Sequence, residues 1–244
     1  LVKERAMAGK IPDGMVAEIE RRGGFKAEPE QVVAARFAAS CPTVEAVRRR
    51  YPAHVARYEH AADRISDGTH GASLIIDAGS GVGYGAYVLA EAIVGANVWA
   101  LERNPVLCGY AMLHYAHSRI LWVRADLTAR PWPIIPEPGS VDAFVCLETL
   151  ERFTDPAPLL ADAARVLRPE GLLVLSTPHK PQGNPYHARE YTLAEVEDAL
   201  AAQGFGVLSL ERQHPATGRF SPLDRAADLR GAYMFFVATK AQAR

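Results

Sequence analysis

The chain has 244 residues, 49% hydrophobic and 23% charged, enough apolar material for one large α/β domain or one domain with an appendage. Lys+Arg 27 against Asp+Glu 28 leaves a formal net charge of −1, which argues against a broad nucleic-acid-binding face. Cys41, Cys108 and Cys146 lie too far apart in sequence for a disulfide framework or a zinc motif, and no apolar run reaches membrane-spanning length, so the expectation is a cytoplasmic protein without membrane partner or metal.

Residues 1–57 carry no strand pattern and read as a helical cap, with helices over 15–22, 29–40 and 43–50. Thr43 is placed as an N-cap, and Val32, Val33, Phe37, Val44 and Val47 supply apolar stripes. Arg48, Arg49 and Arg50 read as a solvated helix end. Leu1 in place of an initiator Met reads as a trimmed start. A further helix over 51–63 brings Tyr58 to the edge of the main domain, 58–244.

From there strands and helices alternate. The first strand, 74–77, is followed by a glycine-rich turn and an Ala-rich helix over 86–94. A second strand, 98–102, precedes a helix that Asn104-Pro105 opens. The third strand is 120–123. After a Pro-rich connection comes a fourth, 141–147, then a helix over 156–167 that Pro169-Glu170-Gly171 stops. The fifth strand, 172–176, is continuously apolar, as a strand covered on both faces requires. A Pro/Gly/His-rich loop over 178–191 leads to a helix capped by Thr192 and Glu195. The last two strands, 204–210 and 232–240, lack an intervening helix and are expected to form an antiparallel edge pair. The fold class that follows is α/β: a doubly wound, mostly parallel, seven-stranded Rossmann-like sheet with the last strand antiparallel.

The chemistry gathers at the strand ends. Asp77, Glu102 and Asp126 close the first three strands. A carboxylate in the position of Glu102 can accept both hydroxyls of a ribose and disfavours a 2′-phosphate. The glycines are ambiguous by themselves. Gly81, Gly83 and Ala86 satisfy a dinucleotide register. Asp77 with Gly79, Gly81 and Gly83 satisfies a tighter register suited to a ligand with no phosphate and a cationic centre.

Taken together, five segments resemble the class I S-adenosylmethionine-dependent methyltransferases: Asp77-Ala-Gly-Ser-Gly-Val-Gly83, Leu101-Glu102, Ala125-Asp126-Leu127, the run from Val141 through Glu148 to Glu151, and the run from Leu167 to Pro178. Arg57-Tyr58-Glu59 and the stretch from Asn184 to Thr192 are similar to a bacterial small-molecule and glycan-associated subgroup. The resemblance implies S-adenosyl-L-methionine as cofactor. Asp77, Ala78, Gly79, Gly81 and Gly83 would hold its methionine and ribose portions, Glu102 its ribose hydroxyls, and Asp126 with Leu127 its adenine. Leu147 and Glu148 would face the sulfonium, and Tyr58 would close over the methionine end. Many relatives carry Glu-His where this chain has Glu151-Arg152, so a histidine is missing there.

For the acceptor, a small molecule or glycan hydroxyl is expected. His187 is the candidate general base, with His179, Tyr186 and Tyr191 as substrate-binding residues on the same loop. Glu148 is a second candidate base or a partner for Arg152. The residues after the fourth strand lack the Asn/Asp-Pro-Pro-Tyr pattern of enzymes acting on flipped bases. Two alternatives stay open, a cofactor-binding protein without activity and an NAD-dependent oxidoreductase. The cap is read as a lid or a homodimer contact.

Overall fold

A computed structural model describes residues 40–240 except 70, 130, 131, 133–135, 185, 186 and 216. The expected helix over 15–22, residues 29–39 of the helix expected over 29–40, and Tyr186 lie outside these residues. Helix α1 (Val44–Arg50) begins where the Thr43 hydroxyl accepts the Ala46 amide. Helix α2 (Pro52–Gly68) follows at once, with proline at its first turn, and ends five residues later than the sequence suggests.

Strand β1 (Leu74–Ala78) leads through the glycine turn into α3 (Tyr84–Ala92). Strand β2 (Asn97–Glu102) leads into α4 (Pro105–His114), which Asn104 caps through the Val106 amide. Then come β3 (Ile120–Arg124), β4 (Val141–Leu147), a short 3₁₀ turn (Leu150–Arg152) and α5 (Ala157–Val166). Strand β5 (Leu167–Pro178) precedes α6 (Leu193–Ala202), where Thr192 and Glu195 form the expected capping box. Strands β6 (Phe205–Gln213), β7 (Phe220–Pro222) and β8 (Tyr233–Lys240) complete the chain.

The eight strands form one sheet in the order β3-β2-β1-β4-β5-β8-β6-β7. Pairing is parallel from β3 to β5, and β8 runs antiparallel to both β5 and β6. The seven-strand expectation is corrected by one strand: a three-residue strand, β7, pairs antiparallel on the outer side of β6. The expected antiparallel last strand is β8, which pairs with β6 as expected and inserts between β5 and β6. Strand β5 also starts at Leu167, where a helix end was expected. A register shift opposite Val141 and Ala143 absorbs Pro169-Glu170-Gly171, with Glu170 at φ 64.

Successive strand residues point to opposite faces. Ile76, Phe144, Leu173 and Leu175 join the core under α5 and α6, whereas Ile75, Val145 and Val174 join the core under α2 and α3. Burying each such side chain stabilises the fold by roughly 1.5–3 kcal/mol. Asp142, inside buried β4, is tolerated because it accepts the Ser73 and Leu74 amides and pairs with Arg168 Nε at 2.6 Å. Chain order reverses between β1 and β4. That crevice, at the carboxyl ends of the strands, is where open α/β sheets bind ligands. No helix among the described residues is long and apolar enough to cross a membrane.

Candidate functional site

The glycine turn separates into two kinds of position. Gly79 (φ 80) and Gly83 (φ 94) are small because protein lies against them. A Cβ on Gly79 would meet the Thr149 hydroxyl at 2.5 Å, and one on Gly83 would meet Ala111 at 2.5 Å and Trp122 at 2.8 Å. Gly81 (φ 55) has nothing within 4 Å of that position and faces open space. The turn's amides are largely spent on the protein. Gly79 and Ser80 N–H both donate to Leu101 O, Gly83 N–H donates to Ser80 O, and Gly81 N–H donates to Glu102 Oε2 at 3.0 Å.

Asp77 closes β1 with no exposed surface. Its Oδ1 accepts the Tyr58 hydroxyl at 3.2 Å, while buried Oδ2 has no hydrogen-bond partner among the described residues. Burial pushes this carboxyl up to about 7; the Tyr58 bond opposes the shift and nearby Glu102 adds to it. Glu102 ends β2, with Oε1 accepting the Asn104 amide at 2.7 Å. Burial raises its pKa too, against the amides of Asn104 and Gly81. Two half-stabilised carboxylates flanking the turn suit a cation and ribose hydroxyls. They repel a pyrophosphate, which would also need the amides already engaged. The arrangement speaks against the dinucleotide alternative.

Tyr58 reaches this site from α2 and stands edge-on to Tyr84 at 5.6 Å. Its ring fills the space that a side chain on Gly85 would need, at 2.0 to 2.4 Å. The structure thus places Tyr58 as a support for Asp77. Asp126, exposed after β3, accepts the Thr128 amide at 2.8 Å and the Thr128 hydroxyl at 2.7 Å. Leu127 and Thr128 line a cavity of about 190 Å³ with Arg152, Phe153 and Pro158.

At the end of β4, buried Leu147 is followed by Glu148 in a left-handed conformation (φ 52), rare for a residue with a side chain. Its amide donates to Ser176 O at 3.1 Å and its Oε1 accepts the Ser176 hydroxyl at 2.8 Å. Arg57 Nη1 lies 3.5 Å from the same oxygen. Burial raises the Glu148 pKa, with Arg57 and Ser176 opposing. Arg57 from α2 is the partner of Glu148; Arg152 lies by Glu151 instead, at 4.0 Å. Glu151 is 1% exposed, accepts the Thr177 hydroxyl at 3.1 Å, and is held well above the usual carboxylate range by burial and by Glu148.

The loop residues sort differently from the expectation. Tyr191 is fully buried and donates to Phe153 O at 2.9 Å, so it anchors the loop from inside the core. His187 Nε2 is 2.9 Å from the Asn184 amide nitrogen, and its Nδ1 lies 3.4 Å from Glu190. Burial and Arg152 lower its pKa. Its backbone neighbours, the Ala188 and Arg189 amides, donate to Glu151 O. His179 bridges to Tyr191 and donates its amide to Ala232 O. Sequence reasoning missed His54, Arg57 as an ion-pair partner, Gln213 and Tyr233. Arg57 and Gln213 meet at 2.8 Å across 156 residues of chain, which no local pattern announces.

With this geometry in hand, comparison with known proteins is informative. Residues 76–175 match the family model described as "Methyltransferase domain". A Mycolicibacterium smegmatis protein described as an S-adenosylmethionine-dependent methyltransferase is 31% identical over 142 residues, 54% of this chain and 52% of that protein. A ubiquinone biosynthesis O-methyltransferase of Xanthomonas campestris is 37% identical over 103 residues, 39% of this chain and 41% of its own. The chain thus spans about half the length of the curated relatives it matches. Among solved structures, the fold is similar to that of a Burkholderia thailandensis 1,6-didemethyltoxoflavin-N1-methyltransferase (TM-score 0.60, 18% identity, 88% of this chain and 90% of that one).

Proposed function

We propose that this chain, which carries in residues 76–175 a methyltransferase domain of the class I S-adenosylmethionine-dependent kind, transfers a methyl group to a hydroxyl of a small molecule or glycan. Held by Asp77, Glu102 and the glycine turn, S-adenosylmethionine would supply an electrophilic methyl group for an acceptor oxygen, whose proton would pass to water or to a side-chain base. The observation that carries this reading is the unpartnered Oδ2 of fully buried Asp77 beside an open Gly81. Such a carboxylate is an unmet demand for a cation, which the methionine ammonium answers. Glu102, oriented by the Gly81 and Asn104 amides, keeps lone pairs for ribose hydroxyls. Asp126 and Leu127 serve the adenine end, and Ala78, Gly79 and Gly83 shape the turn.

The O-methyltransferase relative supports an oxygen acceptor. In this reading Leu147 and Glu148 face the transferred methyl; the Glu148 carboxylate is held by Ser176 and Arg57. Alignment of donor and acceptor can supply up to ~7–11 kcal/mol of the barrier reduction. His187 orders its loop through Asn184, and His187→Gln then lowers turnover by far less than the ~10²–10⁴-fold that a general base contributes. Incubation with candidate acceptors, reading S-adenosylhomocysteine release, separates an enzyme from a protein that only binds the cofactor. Acceptor-independent silence across phenols and sugars, with intact cofactor binding, would favour the latter.

A further inference from the structure

A cavity of about 260 Å³ lies beside the cofactor-facing strand ends, between the start of α2, the β6–β7 connection and the first residue of β8. Its wall includes Arg50, Tyr51, His54, Arg57, Pro215 and Tyr233, and among the described residues no acid lines it. The cavity is built rather than incidental. Gln213, fully buried, donates to Ala53 O at 2.7 Å and Gly218 O at 3.2 Å and accepts Arg57 Nε at 2.8 Å. Arg57, 4% exposed, lies over the Tyr233 ring at 4.3 Å. The inner wall touches the site already described at two points. Arg57 pairs with Glu148 at the end of β4, and His54 Nδ1 is 3.4 Å from the hydroxyl of Tyr84, the first residue of α3.

Size and charge define what fits. The volume is below the roughly 300–1,000 Å³ of drug-sized pockets, which selects about one ring. Tyr51, Tyr233, Pro52 and Pro215 offer flat apolar walls. Arg57 is neutralised by Glu148, and burial holds His54 at about 4, uncharged at neutral pH. The exposed guanidinium of Arg50, bonded to the Tyr51 hydroxyl at 3.2 Å, leaves the wall with net positive charge. We infer that this cavity is the acceptor subsite and takes a single planar ring bearing a carboxylate. The carboxylate lies toward Arg50, and the ring hydroxyl points toward Glu148. The inference rests on the methyl-transfer reading and narrows its acceptor class.

The test uses the full chain saturated with S-adenosylhomocysteine. Benzoate, 4-hydroxybenzoate and 3,4-dihydroxybenzoate are titrated calorimetrically against their carboxamides, in wild type and in Arg50→Gln. At least one acid should bind tenfold or more tighter than its amide, and Arg50→Gln should erase that preference without changing affinity for S-adenosylhomocysteine. If no acid exceeds its amide, or the preference survives Arg50→Gln, the inference is overturned and the cofactor reading stands. Failure of S-adenosylhomocysteine to bind the wild type overturns both.

Discussion

Asp77 shows how one residue can tie stability to ligand binding. Its folded pKa of about 7 exceeds the model-peptide value of 3.8, so between these limits the cofactor-free fold holds more protons than the unfolded chain. Its contribution to stability therefore declines as pH rises from about 4 to 7 and is fully unfavourable above 7. Asp77→Asn should raise the melting temperature of the cofactor-free protein at pH 8 by a few degrees, measured by scanning calorimetry. The same substitution should weaken S-adenosylhomocysteine binding by about 10–100-fold, the scale of one lost charge-assisted bond. Wild-type affinity should fall as pH drops below 7, because a protonated Asp77 no longer attracts the ammonium. Tyr58→Phe removes the hydrogen bond that holds the Asp77 pKa down, so it should move the midpoint of that pH profile upward; an unmoved midpoint would detach Tyr58 from Asp77.

Between elements, α2 joins α1 to the carboxyl ends of the strands. It rests on α3 where Gly85 accommodates the Tyr58 ring, and Gly85→Ala should destabilise by about 1–3 kcal/mol in urea unfolding through overpacking. Its Arg57 ties Glu148 of β4's end to Gln213 of β6. Arg57→Ala leaves Glu148 without its cation and should cost toward the lower end of ~3–5 kcal/mol, because the Glu148 side chain keeps 24% exposure. Adding Glu148→Gln should recover part of that loss; strict additivity would mean the two groups are energetically independent. The elements themselves were legible where local chemistry decides them. Thr43, Asn104-Pro105 and the Thr192/Glu195 box mark helix starts, and apolar runs mark β1, β4 and the core of β5. Strand β7 was not legible, because three residues ending in proline pair only when β6 is already in place.

For the whole molecule, the alternation of strands and helices foretold a mostly parallel, doubly wound sheet, while the switch point between β1 and β4, beside which Asp77, Glu102 and the glycine turn meet, emerges only from the strand order. The carboxylates and glycines at this crevice were readable because they lie in the turn or at strand ends. The cavity proposed for the acceptor was not, because His54 and Arg57 of α2, Gln213 of β6 and Tyr233 of β8 are gathered by tertiary packing from three distant segments. Tyr191 misled for a related reason: a tyrosine in a polar loop gives no sign that its ring turns into the core. The central claim is that this crevice holds a cationic, ribose-bearing cofactor and no pyrophosphate. Calorimetric titration of the full chain with S-adenosylmethionine and with NAD tests it most directly. The account predicts saturable binding of S-adenosylmethionine, weakened tenfold or more by Glu102→Ala, and no measurable binding of NAD; tight NAD binding with none of S-adenosylmethionine would contradict it.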